Sequence, residues 1–308
     1  MEVESILCPI DLSPESGRAL RYARALAGAY GARLFVFHCA GGRAEGEPIG
    51  VLEEVEFAVE RALGPRDGAE GAEPEIVVVG GRDPAEAITR EAAARGVGLI
   101  VMCSRRRPLR AALLGSTAES VYRTAPCPVL ITHPDENERA DAANGPLSLR
   151  RVLVAHDFSD YSELALRLAL SLAQAHQAEL HLLHVLAPPI LGEPELAWSQ
   201  ATVEGSYHKA ARGLKQAVPG EAYLWSEVKT AVRWGKPYRE VLAYAKEQDI
   251  DLVCMGANGA GFGMQALVGS NVDRVLRQSP CPVLVARPLK PLFVPPEAVA
   301  AAGAVKES

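Results

Sequence analysis

The chain of 308 residues contains two copies of itself, and this repeat limits the fold more than any other feature of the sequence. The stretch "SILCPIDLSPESGRALRYARALAGAYGARLFVFHCA" (5–40) aligns with "RVLVAHDFSDYSELALRLALSLAQAHQAELHLLHVL" (151–186) at a constant offset of 146, which pairs Asp11 with Asp157 and His38 with His184. Further on, "LLGSTAESVYRTAPCPVLIT" (113–132) aligns with "LVGSNVDRVLRQSPCPVLVA" (267–286) at an offset of 154, so the second copy carries eight net extra residues in its middle. A unit of about 140 residues is far longer than a solenoid repeat and is the size of a whole domain. The stretch "ADAANGPLSL" (140–149), with small residues, Asn-Gly and Pro, reads as a linker between the copies.

Each copy alternates short apolar runs with segments of helical period. In the second copy, strands are expected at Val152–Ala155, Glu179–Leu186, Glu227–Val232, Leu252–Met255 and Val283–Ala286. Helices are expected over Tyr161–His176, capped by Ser159 or Asp160, over a polar stretch near Glu195–Ala217, and over Pro237–Gln248, where proline suits a first helical turn. The first copy matches, with strands near 5–9, 33–39, 75–79, 99–103 and 128–132. Strict alternation with near-continuous apolar strands predicts an α/β fold whose parallel sheet is covered on both faces. Ligands of such sheets bind beyond the carboxyl ends of the strands, where strand order reverses. Asp157, after the first strand of the second copy, and Gly256 onward, after its fourth, are therefore expected to share a crevice.

Composition narrows the function. No apolar run approaches the roughly 18 residues of a membrane-spanning helix. The acidic start, Met1 to Ser5, runs into a strand and does not look like a signal peptide, so a cytoplasmic protein is expected. Net charge is −6; up to residue 145 there are 16 basic and 22 acidic residues, and after it 16 of each. Neither half is basic enough to track nucleic acid. Of the six cysteines none forms a CxxC pair, which suits buried thiols rather than disulfides or zinc ligands.

The densest chemistry lies in "MGANGAGFGMQALVGS" (255–270), which holds Gly256, Gly259, Gly261, Gly263 and Gly269. Glycines after a strand let a backbone approach a phosphate with its amides pointing inward. Gly269-Ser270 would open the last helix and present free amides and a partial positive charge to an anion. The spacing Gly256-x2-Gly259-x9-Gly269-Ser270 resembles the nucleotide-binding signature of the universal stress protein family. "VAHDFSDYS" resembles that family's first strand and turn, and "SPCPVLVAR" its last strand; the resemblance spans roughly residues 3–132 and 150–287. It implies two tandem Rossmann-like domains of the adenine nucleotide alpha hydrolase-like kind, each a five-stranded parallel sheet of order 3-2-1-4-5 with helices on both faces. It implies ATP as ligand, with Mg2+ or Mn2+ brought by the phosphates. The adenosine is placed against Ala155, His156, Asp157 and Val185, with Asp157 the polar anchor. The rest of the ATP site is placed at Met255, Gly256, Asn258, Gly259, Gly269, Ser270, Asn271 and Val272, with the phosphates against the glycines and Ser270. Family dimers pair through strand 5, so Val129–Thr132 and Val283–Ala286 are expected to pair antiparallel as an intramolecular pseudo-dimer. A further homodimer and an unidentified protein partner remain open.

Competing motifs fare worse. Gly261-Phe262-Gly263-Met264-Gln265-Ala266 fits the dinucleotide pattern GxGxxA but follows a fourth strand, and position 286 is alanine where an acid is needed. The P-loop pattern is absent. His181 and His184 stand three apart on one strand and so face opposite sides, unsuited to sharing a metal. No triad or defined carboxylate pair is visible, so no catalytic residue is assigned, and Asp251 and Asp273 read as helix-turn and surface charges. In the first copy the loop is "MCSRRRPLRAALLGS" (102–116): Cys103 and one arginine of Arg105–Arg107 stand where the approach glycines would be, while Asp11, Gly115 and Ser116 remain. A degenerate nucleotide site is the reading of that half; the alternatives are an anion or AMP held by the arginines, or a solvated basic loop. The domains are expected at 1–140 and 147–288, with an irregular tail over 289–308. The expected role is a nucleotide-dependent stress regulator or sensor, against a nucleotide-independent scaffold or a slow adenine-nucleotide hydrolase.

Overall fold

In the computed structural model the described residues are 3–41, 49–64, 73–104, 114–133, 149–188, 200–258 and 269–288. The apolar runs become ten strands: β1 (Ser5–Pro9), β2 (Arg33–Gly41), β3 (Glu75–Gly81), β4 (Leu99–Cys103) and β5 (Val129–Thr132), then β6 (Arg151–Ala155), β7 (Glu179–Leu186), β8 (Val228–Trp234), β9 (Leu252–Gly256) and β10 (Val283–Ala286). Between them lie α1 (Pro14–Tyr30), α2 (Ile49–Leu63), α3 (Pro84–Ala94), α4 (Ser116–Thr124), α5 (Asp160–His176), α6 (Gln200–Ala217), the short α7 (Ala222–Trp225), α8 (Pro237–Glu247) and α9 (Ser270–Gln278). The sheet order is β3-β2-β1-β4-β5-β10-β9-β6-β7-β8. Pairing is parallel within each half, while β5 and β10 meet antiparallel with Leu284 opposite Leu130. Both of these strands are buried along their whole length, because each covers the other's free edge.

Helices cover both faces. On one, Leu20 and Leu26 of α1, Val55 of α2, Leu166 and Leu172 of α5 and Leu214 of α6 pack in a single apolar layer. On the other, Ile88 of α3, Tyr122 of α4, Val241 of α8 and Val275 of α9 do the same. The inner strands therefore lose both faces to the core, which is why they read as continuous apolar runs, whereas the edge strands β3 and β8 stay half-exposed along most of their length. Strand register locates the extra residues of the second copy. His38 lies opposite Val78 and His184 opposite Val232, an offset of 154 at β8, and the register at β9 gives 153, so nearly all of the insertion falls between β7 and β8.

Helix starts follow local chemistry. Ser13 and Ser159 occupy equivalent N-caps of α1 and α5, and each hydroxyl accepts the amide three residues on, from Ser16 at 3.3 Å and from Ser162 at 3.2 Å. Asp11 and Asp157 hold the turns before them: each Oδ1 accepts the backbone N–H of the serine two residues on at 3.1 Å. The residue between, Leu12 or Phe158, sits in the left-handed region at φ 62° or 64°. A bulky side chain there is unfavourable, and the aspartate bridge is what holds it.

The two halves are also tied by charge. Arg123 of α4 pairs with Asp273 of α9 at 2.7 Å, and Arg277 of α9 pairs with Glu119 of α4 at 3.0 Å. Glu119 and Asp273 are aligned positions, as are Arg123 and Arg277, so the two contacts are related by a two-fold pattern. The Tyr122 hydroxyl also donates to Asp273. Arg287 donates to Ala125 O at 2.8 Å and Arg123 O at 3.1 Å. Asp273 is thus a junction residue and not the surface charge its sequence context suggests. Asp251 accepts the amides of Arg150 and Arg151 at 2.8 and 2.9 Å, fastening the entry to β6.

Candidate functional site

The expected site lies beyond the ends of β6 and β9, neighbours in the sheet, whose chains lead on to α5 and α9. Ala155 lies opposite Met255 across that pair and opposite Leu183 on β7. Val185 lies two residues beyond Leu183 on the same strand. From β6 the chain continues into His156 and Asp157; from β9 it continues into Ala257 and Asn258. Ala257 N donates to Ala286 O at 2.8 Å, and Ala257 O accepts Gly269 N at 3.0 Å. That last bond brings the start of α9, with Ser270, Asn271 and Val272, to the end of β9. The predicted site residues within the described chain thus gather at one end of the sheet. Gly259 lies outside the described residues, as do Gly261–Ala266, Arg105–Arg107 and the tail over 289–308.

Gly269 caps α9 with no side-chain bond, and the first helical bond runs from Asp273 N to Gly269 O at 3.3 Å. The amides before it have no acceptor within their own helix, as in any first turn. Asn258 is 7% exposed and its Oδ1 has no hydrogen-bond partner among the described residues. A buried carboxamide oxygen without a donor is unfavourable by about 1–3 kcal/mol until something supplies one.

Gly256 has a reason of its own that its sequence context hides. A Cβ placed on it would stand 2.7 Å from the carbonyl carbon and Cβ of Tyr161 and 2.9 Å from Ser162 N. The first turn of α5 rests directly on the end of β9, so backbone meets backbone. The first half has Cys103 at this position, half-buried.

The histidines divide by face, as their spacing predicts. His181 Nδ1 lies 2.9 Å from the Tyr244 hydroxyl, while His184 Nδ1 donates to His156 O at 2.7 Å. His38 makes the aligned contact with Ile10 O at 3.0 Å, so the repeated histidine is a strut that holds the strand end in both halves. Among the described residues no cluster of three or more His, Cys, Asp or Glu is placed to hold a metal. No disulfide joins the cysteines, and burial raises the thiol pKa of Cys127 to about 12.

His156 is 3% exposed, and its Nδ1 accepts Phe158 N at 3.2 Å. Nδ1 therefore carries no proton, and the ring proton sits on Nε2, 3.5 Å from Glu163 Oε2. Protonating Nδ1 would set N–H against N–H in the turn that carries Asp157. Burial holds the imidazole below its ordinary pKa, with Glu163 and Asp157 pulling up and His184 pushing down. An unfolded chain then binds a proton near pH 6.5 that the folded chain refuses, so stability is full above that pH and declines as pH falls below it. The expected slope below pH 6.5 is at most about 1.4 kcal/mol per pH unit from this group. Urea titrations at pH 5 and pH 7.5 check it: His156→Asn reduces the dependence, buried His181 contributing in the same direction, and an unchanged slope in that variant would assign it elsewhere.

This doubly wound α/β fold is shared with known proteins. The sequence model of the universal stress protein family matches residues 2–133 and 148–287. The chain belongs to that family and carries two of its domains in tandem. A universal stress protein of Thermus aquaticus is 32% identical over 142 residues, covering 45% of this chain and 98% of the relative. One of Mycobacterium tuberculosis is 32% identical over 190 residues, 61% of each chain. The crystal structure of a universal stress protein from Archaeoglobus fulgidus superposes with a TM-score of 0.64 at 22% identity, covering 93% of this chain and 99% of that one, a likeness of fold. No helix among the described residues is long and apolar enough to cross a membrane.

Proposed function

We propose that the second half binds ATP and that the protein works as a nucleotide-dependent regulator in the cytoplasm. The observation that carries this reading is the buried Oδ1 of Asn258, without a partner among the described residues, next to the side-chain-free cap of α9. A nucleotide suits both features: its hydroxyl or amino groups can donate to Asn258, and its phosphates can accept the amides of Ser270, Asn271 and Val272. Ala155, His156, Asp157, Val185 and Met255 line the side for the nucleoside, and Gly256, Gly259 and Gly269 the approach for the phosphates. Mg2+ or Mn2+ arrives with the phosphates and adds charge neutralisation there. The first half, with Cys103 in place of Gly256, is the non-binding partner, and the β5–β10 junction is its intramolecular pseudo-dimer interface. The two units, 1–140 and 147–288, are separate domains in this reading. Bound ATP contacts the amides that follow β9 and open α9 and so changes the surface offered to a protein partner. Hydrogen exchange with and without saturating Mg-ATP tests this: amides of 256–272 become protected by at least about tenfold, the scale of 1.4 kcal/mol. Unchanged exchange at saturation contradicts it.

A further inference from the structure

Three cations gather around one aromatic ring where α8 and α9 begin. Strands β6, β7, β8 and β9 run parallel, so Lys236 and Tyr238, which follow β8, stand at the same end of the sheet as Ala257 and the start of α9. Arg239 Nε donates to the Tyr238 hydroxyl at 3.0 Å, and the Arg274 guanidinium lies 4.6 Å from the centre of the Tyr238 ring. Both partners are neutral, so neither charge is compensated. Lys236 caps α8 and makes no side-chain bond there. All three cations are exposed, and among the described residues none is paired with a carboxylate. The Arg239 hydrogen bond, and then the charges of Arg239, Arg274 and Lys236, hold the Tyr238 phenol below its ordinary pKa. The neighbouring acids are engaged elsewhere: Glu240 faces Arg233 at 3.8 Å, and Asp273 pairs with Arg123 at 2.7 Å. The sequence from 257 to 272 holds no Asp or Glu.

The group is not part of the repeat. In the first half Asp83 caps α3, and its carboxylate accepts Ala85 N at 2.9 Å and Glu86 N at 3.2 Å. The second half has Lys236 for Asp83, Tyr238 for Ala85, Arg239 for Glu86 and Arg274 for Ser120. Two acids have thus become two cations in the half that also carries the glycines. Arg274 stands one turn on from Ser270 and shares its face. Long helical side chains lean back toward the amino end, which sets the Arg274 head beside the first turn of α9. The open amides of Ser270 and Asn271 lie in that turn. Like charges held together repel unless an anion joins them, and the guanidinium fork matches phosphate oxygens. We infer that Arg274 and Arg239, with Lys236, read the terminal phosphates of the bound nucleotide, so that the second half selects a nucleoside triphosphate over a monophosphate. This rests on the reading of the second half as an ATP site and adds the residues that sense the length of the phosphate chain.

Calorimetric titration of the full chain with Mg-ATP and with AMP tests the inference. The wild-type chain is expected to bind ATP at least about tenfold more tightly than AMP. In Arg239→Gln/Arg274→Gln, ATP binding weakens at least about tenfold while AMP binding stays within about twofold of wild type. Equal affinities in the wild type, a double variant that keeps its preference, or equal losses for both nucleotides would overturn the inference and leave the ATP site standing. Binding of neither nucleotide by the wild type would overturn both. Should the double variant fail to fold, side-chain Nε–H resonances of the wild-type chain decide. Shifts of Arg239 and Arg274 with Mg-ATP and not with AMP support the inference; no shift, or the same shift with both, refutes it.

Discussion

Replacing Gly256 by valine is expected to destabilise the folded chain by about 3 kcal/mol, the upper range for overpacking. The new Cβ meets the backbone of Tyr161 and Ser162 at 2.7 and 2.9 Å, and backbone cannot swing aside as a flexible side-chain end can. Either α5 lifts from the sheet or β9 bends away from β10, and each loses buried contacts of Leu166 or Met255. The aligned change in the first half, Cys103→Val, replaces a side chain that is already accommodated and is expected to shift stability by less than about 1 kcal/mol. Guanidinium denaturation without nucleotide measures both. Equal small effects at the two positions would show that the close approach at Gly256 carries no energetic weight.

Replacing Asp157 by alanine is expected to weaken ATP binding by about 10- to 100-fold, the loss of one hydrogen bond to a charged group. The interpretation needs a control, because Asp157 also holds its own turn through Ser159. Asp11 makes the same bonds to Ser13. Asp11→Ala therefore removes the same local structure, at about 1 kcal/mol in stability, with no expected effect on ATP. A loss of affinity confined to Asp157→Ala assigns the residue to the ligand. Equal losses in the two variants would assign both aspartates to the turn alone.

The alternation of strand and helix was legible because the inner strands are buried on both faces and so form unbroken apolar runs, as in Leu252–Met255. Helix starts were legible where capping is local: Ser159 before α5 and Pro237 at the start of α8 both stand where their chemistry directs. What depends on distant neighbours was not. Asp273 looks like a surface charge because its partners, Tyr122 and Arg123, lie about 150 residues away. The only local sign was that acid and base recur at aligned positions, Glu119 with Asp273 and Arg123 with Arg277. Gly256 was read from its company of glycines as a phosphate-approach residue, whereas its tight contact with α5 comes from a segment nearly 100 residues earlier. The Asn258 carboxamide could be placed near the crevice from spacing, but its burial without a partner among the described residues is a property of the packed chain.

The central claim is that one half of a duplicated chain holds the nucleotide. Calorimetric titration of the full chain with Mg-ATP, counting sites, tests it most directly. The account predicts one ATP per chain, lost in Gly259→Val and retained in Asp11→Ala. Two equivalent sites, no site, or a single site that survives Gly259→Val and disappears in Asp11→Ala would contradict it.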